Sequence, residues 1–150
     1  MNIYIATDHR GIDKEEKIVE YLKNKNYNVI QTSLEHSDVD DYVDFALETA
    51  KRVKEDFNSF GILICGTGIG MSIAANKVKG IRAARCVTKE DAILTRKDND
   101  SNIICLSYKI SFDELIDIID TFINTPFSNE ERHIRRVNKI SNYEEVENER

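Results

Sequence analysis

Five short apolar runs, separated by amphipathic segments, constrain the fold of this chain more than any other feature. The runs are NIYIA (2–6), NVI (28–30), GILIC (61–65), IRAARCV (81–87) and NIICL (102–106). They are near-continuous and apolar, as expected of strands buried on both faces in a parallel sheet. The segments between them carry helical spacing. Residues 12–24 place Ile18, Val19 and Leu22 on one face, and 41–56 do the same with Phe45, Ala46, Thr49, Ala50 and Val53. Residues 70–78 form a short alanine-rich helix able to lie close to a sheet, and 88–97 begin at a capping Thr88. In SFDELIDIID, Ser111 and Glu114 are spaced as a capping box, and Phe112, Leu115, Ile116, Ile119, Phe122 and Ile123 repeat at helical intervals until Asn124 and Pro126. This alternation predicts a single-domain α/β fold, a Rossmann-like three-layer αβα sandwich with about five parallel strands. A last helix over roughly 129–142, basic in its first half, completes the domain (1–142) and leaves a polar tail, 143–150, expected to fray.

Charge and cysteine usage narrow the partners. A net charge of −6 without a basic stripe argues against nucleic acid, though a few placed cations still suffice for a small anion. No apolar run approaches a membrane span and the N-terminus carries no secretion signal, so no membrane partner is expected. Three cysteines without paired spacing read as reduced thiols of a cytoplasmic protein, and against a disulfide frame or a zinc site.

The stretch GILICGTGIG (61–70) concentrates the chemistry. Cys65 stands at the carboxyl end of the third strand, the edge where open α/β sheets bind ligands. Gly66, Gly68 and Gly70 allow close backbone approach, and the following helix offers unpaired N–H groups. Together these form an anion site beside a thiol whose thiolate the same field favours. Cys86 and Cys105 lack such a loop and read as small buried hydrophobes. The loop is not a P-loop, since GMS lacks the lysine, and not a dinucleotide fingerprint, since its pattern is G-x-G-x-G after the third strand. At the end of the first strand, TDHRG brings Asp8, His9 and Arg10 to the same edge, where His9 reads as a ligand contact. SDVDDYVD (37–44) has Val43 and Thr49 where a calcium loop needs Gly and Glu, so most of its aspartates read as helix caps and solvated surface.

Assembled, these residues resemble the ribose-5-phosphate isomerase B and galactose-6-phosphate isomerase family. The patches are ATDHRG (6–11), DYVDFA (41–46), GILICGTGIGMSIAANKVKGIRA (61–83), NDSN (99–102) and RHIRRV (132–137). The resemblance implies an aldose–ketose isomerase of sugar phosphates, without cofactor or metal, built as dimers or pairs of dimers with active sites shared between subunits. It implies that Cys65 is the base moving a proton between C1 and C2, that Thr67 helps shift the hydroxyl protons, and that the amides of Gly66, Gly68, Ile69 and Gly70 hold the enediolate. It places Asp8 and Tyr42 against the sugar and His9, Arg132 and Arg136 against the phosphate, the arginines and Asn99 coming from the partner. Donors facing a developing oxyanion and arginine forks facing a phosphate suit that chemistry.

Three positions depart from the family pattern. Asp98 stands where a ring-opening histidine is common, and a carboxylate there still offers a base for the ring hydroxyl. Lys109 replaces a phosphate-assisting arginine and keeps charge without the fork. Val43 replaces a proline. The leading expectation is therefore interconversion of ribose 5-phosphate and ribulose 5-phosphate. The alternatives are the same reaction on a six-carbon aldose phosphate such as allose or galactose 6-phosphate, or a non-catalytic sugar-phosphate-binding protein.

Overall fold

A computed structural model describes residues 1–32 and 35–148. The strands are β1 (Asn2–Thr7), β2 (Asn28–Gln31), β3 (Ser59–Cys65), β4 (Ala83–Arg85) and β5 (Ile103–Ser107). The helices are α1 (Ile12–Asn24), α2 (Tyr42–Glu55), α3 (Ile69–Ala75), α4 (Lys89–Asn99), α5 (Phe112–Asn124) and α6 (Glu131–Asn148). The five strands form one sheet in the order β2-β1-β3-β5-β4, with every pair parallel.

Strand alternation divides the core between the two faces of the sheet. Ile3, Ile5, Ile62, Ile64, Ile104 and Leu106 point to one face, where Ile18 and Leu22 of α1 and Leu115, Ile119 and Phe122 of α5 cover them. Tyr4, Ala6, Leu63, Cys65, Ile103 and Cys105 point to the other, under Ala46, Ala50 and Val53 of α2 and Met71, Ala74 and Ala75 of α3. The small side chains of α2 and α3 let both helices sit close to the sheet. These layers are the expected αβα sandwich.

Three boundaries differ from the sequence reading. The fourth run, expected over 81–87, is paired only at Ala83–Arg85, and the strand is not buried on both faces. It is the edge strand and has β5 as its single neighbour. The capping box is only half made at α5, where Ser111 Oγ accepts from the Glu114 amide; the complete reciprocal box is at α4, between Thr88 and Asp91. Finally, α6 runs on to Asn148, so residues 143–148 are helical. Glu144 accepts a hydrogen bond from the Gly80 amide at 2.6 Å, and Glu145 pairs with Lys79 at 2.5 Å, which ties the end of α6 to the α3–β4 turn. The last two residues of the expected tail, 149–150, lie outside the described residues. No helix among the described residues is long and apolar enough to cross a membrane.

Candidate active site

In an all-parallel sheet every strand delivers its carboxyl end to one edge. Asp8 and His9 follow β1, Tyr42 opens α2 after β2, the 66–70 loop follows β3, and Lys109 lies just past β5. One edge thus gathers Asp8, His9, Tyr42, Cys65, Gly66, Thr67, Gly68, Ile69, Gly70 and Lys109.

Cys65 ends β3 opposite Ser107 of β5 and is 4% exposed. Its neighbours on that face, Leu63, Met71 and Cys105, are apolar. The sulfur is not enclosed by them alone, because the Gly68 amide donates to Sγ at 3.1 Å. That donor comes from the loop. With seven residues, α3 adds little axial dipole, and the donor the sulfur meets is a specific loop amide and not a helix terminus. Among the described residues, no acceptor bonds the amides of Gly66 and Thr67. The Ile69 amide donates instead to Thr67 Oγ1 at 3.1 Å, so Ile69 is not a free member of the donor set. Cys86 is pushed up to about 12 by burial, with Asp91 adding to the shift, and Cys105 is also raised by burial. Neither thiol serves as a base near neutral pH.

The glycines are explained mainly by protein neighbours. Gly68 has φ +79°, and its missing side chain would stand 3.1 Å from the backbone of Leu106. At Gly70 a Cβ would lie 2.6 Å from the Tyr42 ring, which therefore rests on the loop beside the thiol. The Arg10 guanidinium lies against Gly66, 2.7 Å from the place a Cβ would take. The sequence reading reserved all three openings for a ligand; two of them seat side chains that border the ligand's space.

Around this loop, Asp8 is buried and accepts from the Arg10 amide at 3.0 Å. Ser107 Oγ donates to the Gly66 carbonyl at 2.8 Å and accepts from the Lys109 amide, and Arg85 Nε donates to the Thr67 carbonyl at 2.9 Å. His9 is bound through both its amide and Nδ1 to Asp40, at 3.0 and 2.7 Å, and His36 Nδ1 holds the other Asp40 oxygen at 2.9 Å. Asp40 is the exception to the sequence reading, which gave most of the aspartates of 37–44 to caps and solvent. Arg85 and Ser107 were also absent from the predicted site, and Arg10 was placed at its edge without a role. Their signal was position, since each stands at or just past a strand's carboxyl end.

Asp98, Asn99, Arg132 and Arg136 are not at this edge. Asp98 and Asn99 close α4, whose carboxyl end lies at the opposite edge, where Arg82, just before β4, donates to the Asn99 carbonyl at 3.0 Å. His133, 6% exposed in the first turn of α6, faces Asp98 across 3.3 Å. Arg132 pairs with Glu130 at 3.1 Å, and Arg136 lies one turn further along α6. A cavity of about 680 Å³ also opens at that far edge, around Met1, Asp56, Phe60 and Arg82, away from the thiol.

Comparison with known proteins agrees with this architecture. The sequence profile of the ribose/galactose isomerase family matches residues 3–140. A probable ribose-5-phosphate isomerase B of Mycoplasma genitalium is 44% identical over 95% of both chains. Ribose-5-phosphate isomerase B of that organism, solved with bound ribulose-5-phosphate, superposes with a TM-score of 0.92 at 43% identity over 96% of each chain. The Clostridium thermocellum enzyme of the same name superposes at 0.90, with 42% identity over 97% of this chain and 99% of its own. Identity at this level along almost the whole length, on the same αβα frame, means that the chain belongs to the ribose/galactose isomerase family.

Proposed function

We propose that the protein interconverts ribose 5-phosphate and ribulose 5-phosphate, with Cys65 as the proton-transfer base. The observation that carries the assignment of the base is the pairing of the Cys65 sulfur with the Gly68 amide beside the unbonded amides of Gly66 and Thr67. A five-carbon substrate is supported by the relatives named ribose-5-phosphate isomerase B and by the one that binds ribulose-5-phosphate.

The reaction follows from these groups. With the sugar open, the Cys65 thiolate removes the C2 proton, and the carbonyl oxygen gains charge as the enediolate forms. The free loop amides face that charge, which is where donors lower the barrier most. The thiol then returns the proton to C1, while Thr67, exposed at the loop's tip, relays the hydroxyl proton between O2 and O1. Asp8 and Tyr42 orient the hydroxyls, and His9 and Lys109 take the phosphate.

The remaining residues come from a second copy of the chain. Asp98, Asn99, Arg132 and Arg136 lie at the wrong edge to meet the thiol of their own chain, so a dimer in which each chain offers α4 and α6 to its partner's loop completes the site. Asp98, with His133 behind it, then accepts the ring hydroxyl proton on opening. The three unpaired cysteines suit a cytoplasmic enzyme.

Turnover of ribose 5-phosphate in deuterated water tests the assignment. The product should carry solvent deuterium, and Cys65→Ala should lose about 10²–10⁴-fold in kcat. An intact rate in Cys65→Ala removes the base assignment. A panel of five- and six-carbon aldose phosphates, compared by kcat/KM, tests the substrate; preference for a six-carbon sugar overturns it.

A further inference from the structure

We infer that Asp40 is a positioning residue for the sugar-phosphate site: it locks the His9 ring so that Nε2 is the nitrogen presented to the substrate, and it ties that ring to the helix start that carries Tyr42. The inference rests on the isomerase reading above and adds to it a residue from a loop that none of the expected site positions covers.

The geometry accounts for every strong acceptor direction of the carboxylate. Oδ1 takes the His9 amide at 3.0 Å and His9 Nδ1 at 2.7 Å; Oδ2 takes His36 Nδ1 at 2.9 Å and the Ser37 amide at 3.4 Å. An ionised carboxylate only accepts, so both imidazoles must carry hydrogen on Nδ1. His9 then has Nε2 as its one remaining polar atom, and the ring is 29% exposed, open on one side. Burial pushes the Asp40 carboxyl up, but the hydrogen bonds from His9 and His36 more than offset it and hold it at about 2, so it stays ionised throughout the working range. The anchor is itself braced. The Asp40 side chain is 10% exposed, and His36 packs on the Phe45 ring with centroids 5.1 Å apart. Phe45 is in the first turn of α2, one turn from Tyr42, whose ring rests on Gly70. One carboxylate therefore fixes the His9 ring directly, and the His36–Phe45 contact braces that carboxylate against the start of the helix that carries Tyr42. The cluster is arranged for hydrogen bonding and not for metal binding, since both rings direct Nδ1 at the carboxylate and no three ligating side chains among the described residues are placed to hold an ion.

Asn at position 40 keeps the volume but turns one acceptor into a donor that meets an Nδ1–H, so one imidazole has to move or change tautomer. Because His9 contacts the phosphate in ground and transition states alike, the effect falls on KM. With the full-length enzyme and ribose 5-phosphate, Asp40→Asn should raise KM about 5- to 50-fold, the loss expected of a charge-assisted hydrogen bond, with kcat within about twofold. The double variant His9→Asn/Asp40→Asn should have the KM of His9→Asn alone, since Asp40 acts through that ring. Nitrogen-15 histidine spectra of the wild type should show His9 protonated at Nδ1, a reading that needs no variant to fold. An unchanged KM in Asp40→Asn, a fall in kcat alone, additive effects in the double variant, or His9 unprotonated at Nδ1 would each overturn the inference. Failure of the wild type to turn over ribose 5-phosphate would instead strike the functional reading on which it rests.

Discussion

Replacing Glu15 with glutamine should remove a pH dependence of stability that the wild type carries. Glu15 is in the first turn of α1 and is 3% exposed. Oε1 accepts from Gln31 Nε2 at 2.8 Å, while Oε2 is a buried side-chain oxygen with no hydrogen-bond partner. Burial raises the carboxyl to about 7 from 4.5, against the Gln31 hydrogen bond and the field of His36, with Glu16 adding to the rise. The folded chain therefore binds a proton that the unfolded chain releases between these two values. The stability contribution is fully present below about 4.5 and is lost as pH rises through about 7. A shift of that size corresponds to roughly 3 kcal/mol at most. Glutamine reproduces the neutral side chain, keeps the bond from Gln31 and carries no charge to bury. Urea unfolding at one protein concentration should find the two proteins equal within about 0.5 kcal/mol at pH 4, and Glu15→Gln more stable by about 1 kcal/mol at pH 5.5 and about 2–3 kcal/mol at pH 8, with the same m-value. Parallel pH profiles, or a glutamine variant less stable than wild type at pH 8, would show that folding does not raise the Glu15 carboxyl and would refute the reasoning.

Gly70→Ala should press a methyl group into the Tyr42 ring, 2.6 Å from the Cβ position. Because Tyr42 is 40% exposed and free to swing outward, the loss should appear in steady-state assays as about a 10- to 100-fold fall in kcat/KM, with the melting temperature little changed. Mixing Cys65→Ala subunits with Arg136→Ala subunits after unfolding and refolding, and assaying at substrate far below the raised KM of Arg136→Ala, should restore up to about a quarter of wild-type activity, because half of random dimers are mixed and each mixed dimer contains one intact site. No recovery in a mixture shown to contain mixed dimers would refute the shared site.

The sequence exposed those parts of the fold that are set by local burial. β1, β3 and β5 are central, and their uninterrupted apolar runs could only be strands covered on both faces. The edge position of β4 is a property of the assembled sheet, and IRAARCV reads no differently from a central run until its neighbours are known. Position 65 was legible because a strand end, a thiol and closely spaced glycines coincide within six residues. Asp40 was not, because the groups that define it include His9, 31 residues away, and an isolated aspartate in a polar loop gives no sign of a distant imidazole. Glu15 could have been found. It stands at i with Ile18, Val19 and Leu22 at i+3, i+4 and i+7, so helical periodicity alone places it on the buried stripe of α1.

The same topology that gathers one half of the site keeps the other half away. A helix that follows a parallel strand must return antiparallel to it, so α4, with 11 residues and a length of about 16 Å, starts beside the thiol's edge and finishes beyond the opposite one. Asp98 and Asn99 are at its finish, and α6 begins there too, held by His133 against Asp98. Side-chain motion does not span that distance, and loop motion cannot move residues fixed in two packed helices. Residues 98, 99, 132 and 136 can serve the chemistry at Cys65 only by arriving from another molecule. In the proposed dimer, the acidic and basic groups at the far edge of one sheet therefore become the far wall of the partner's site, and Asp98 is to be judged by what it faces there and not by its surroundings within its own chain.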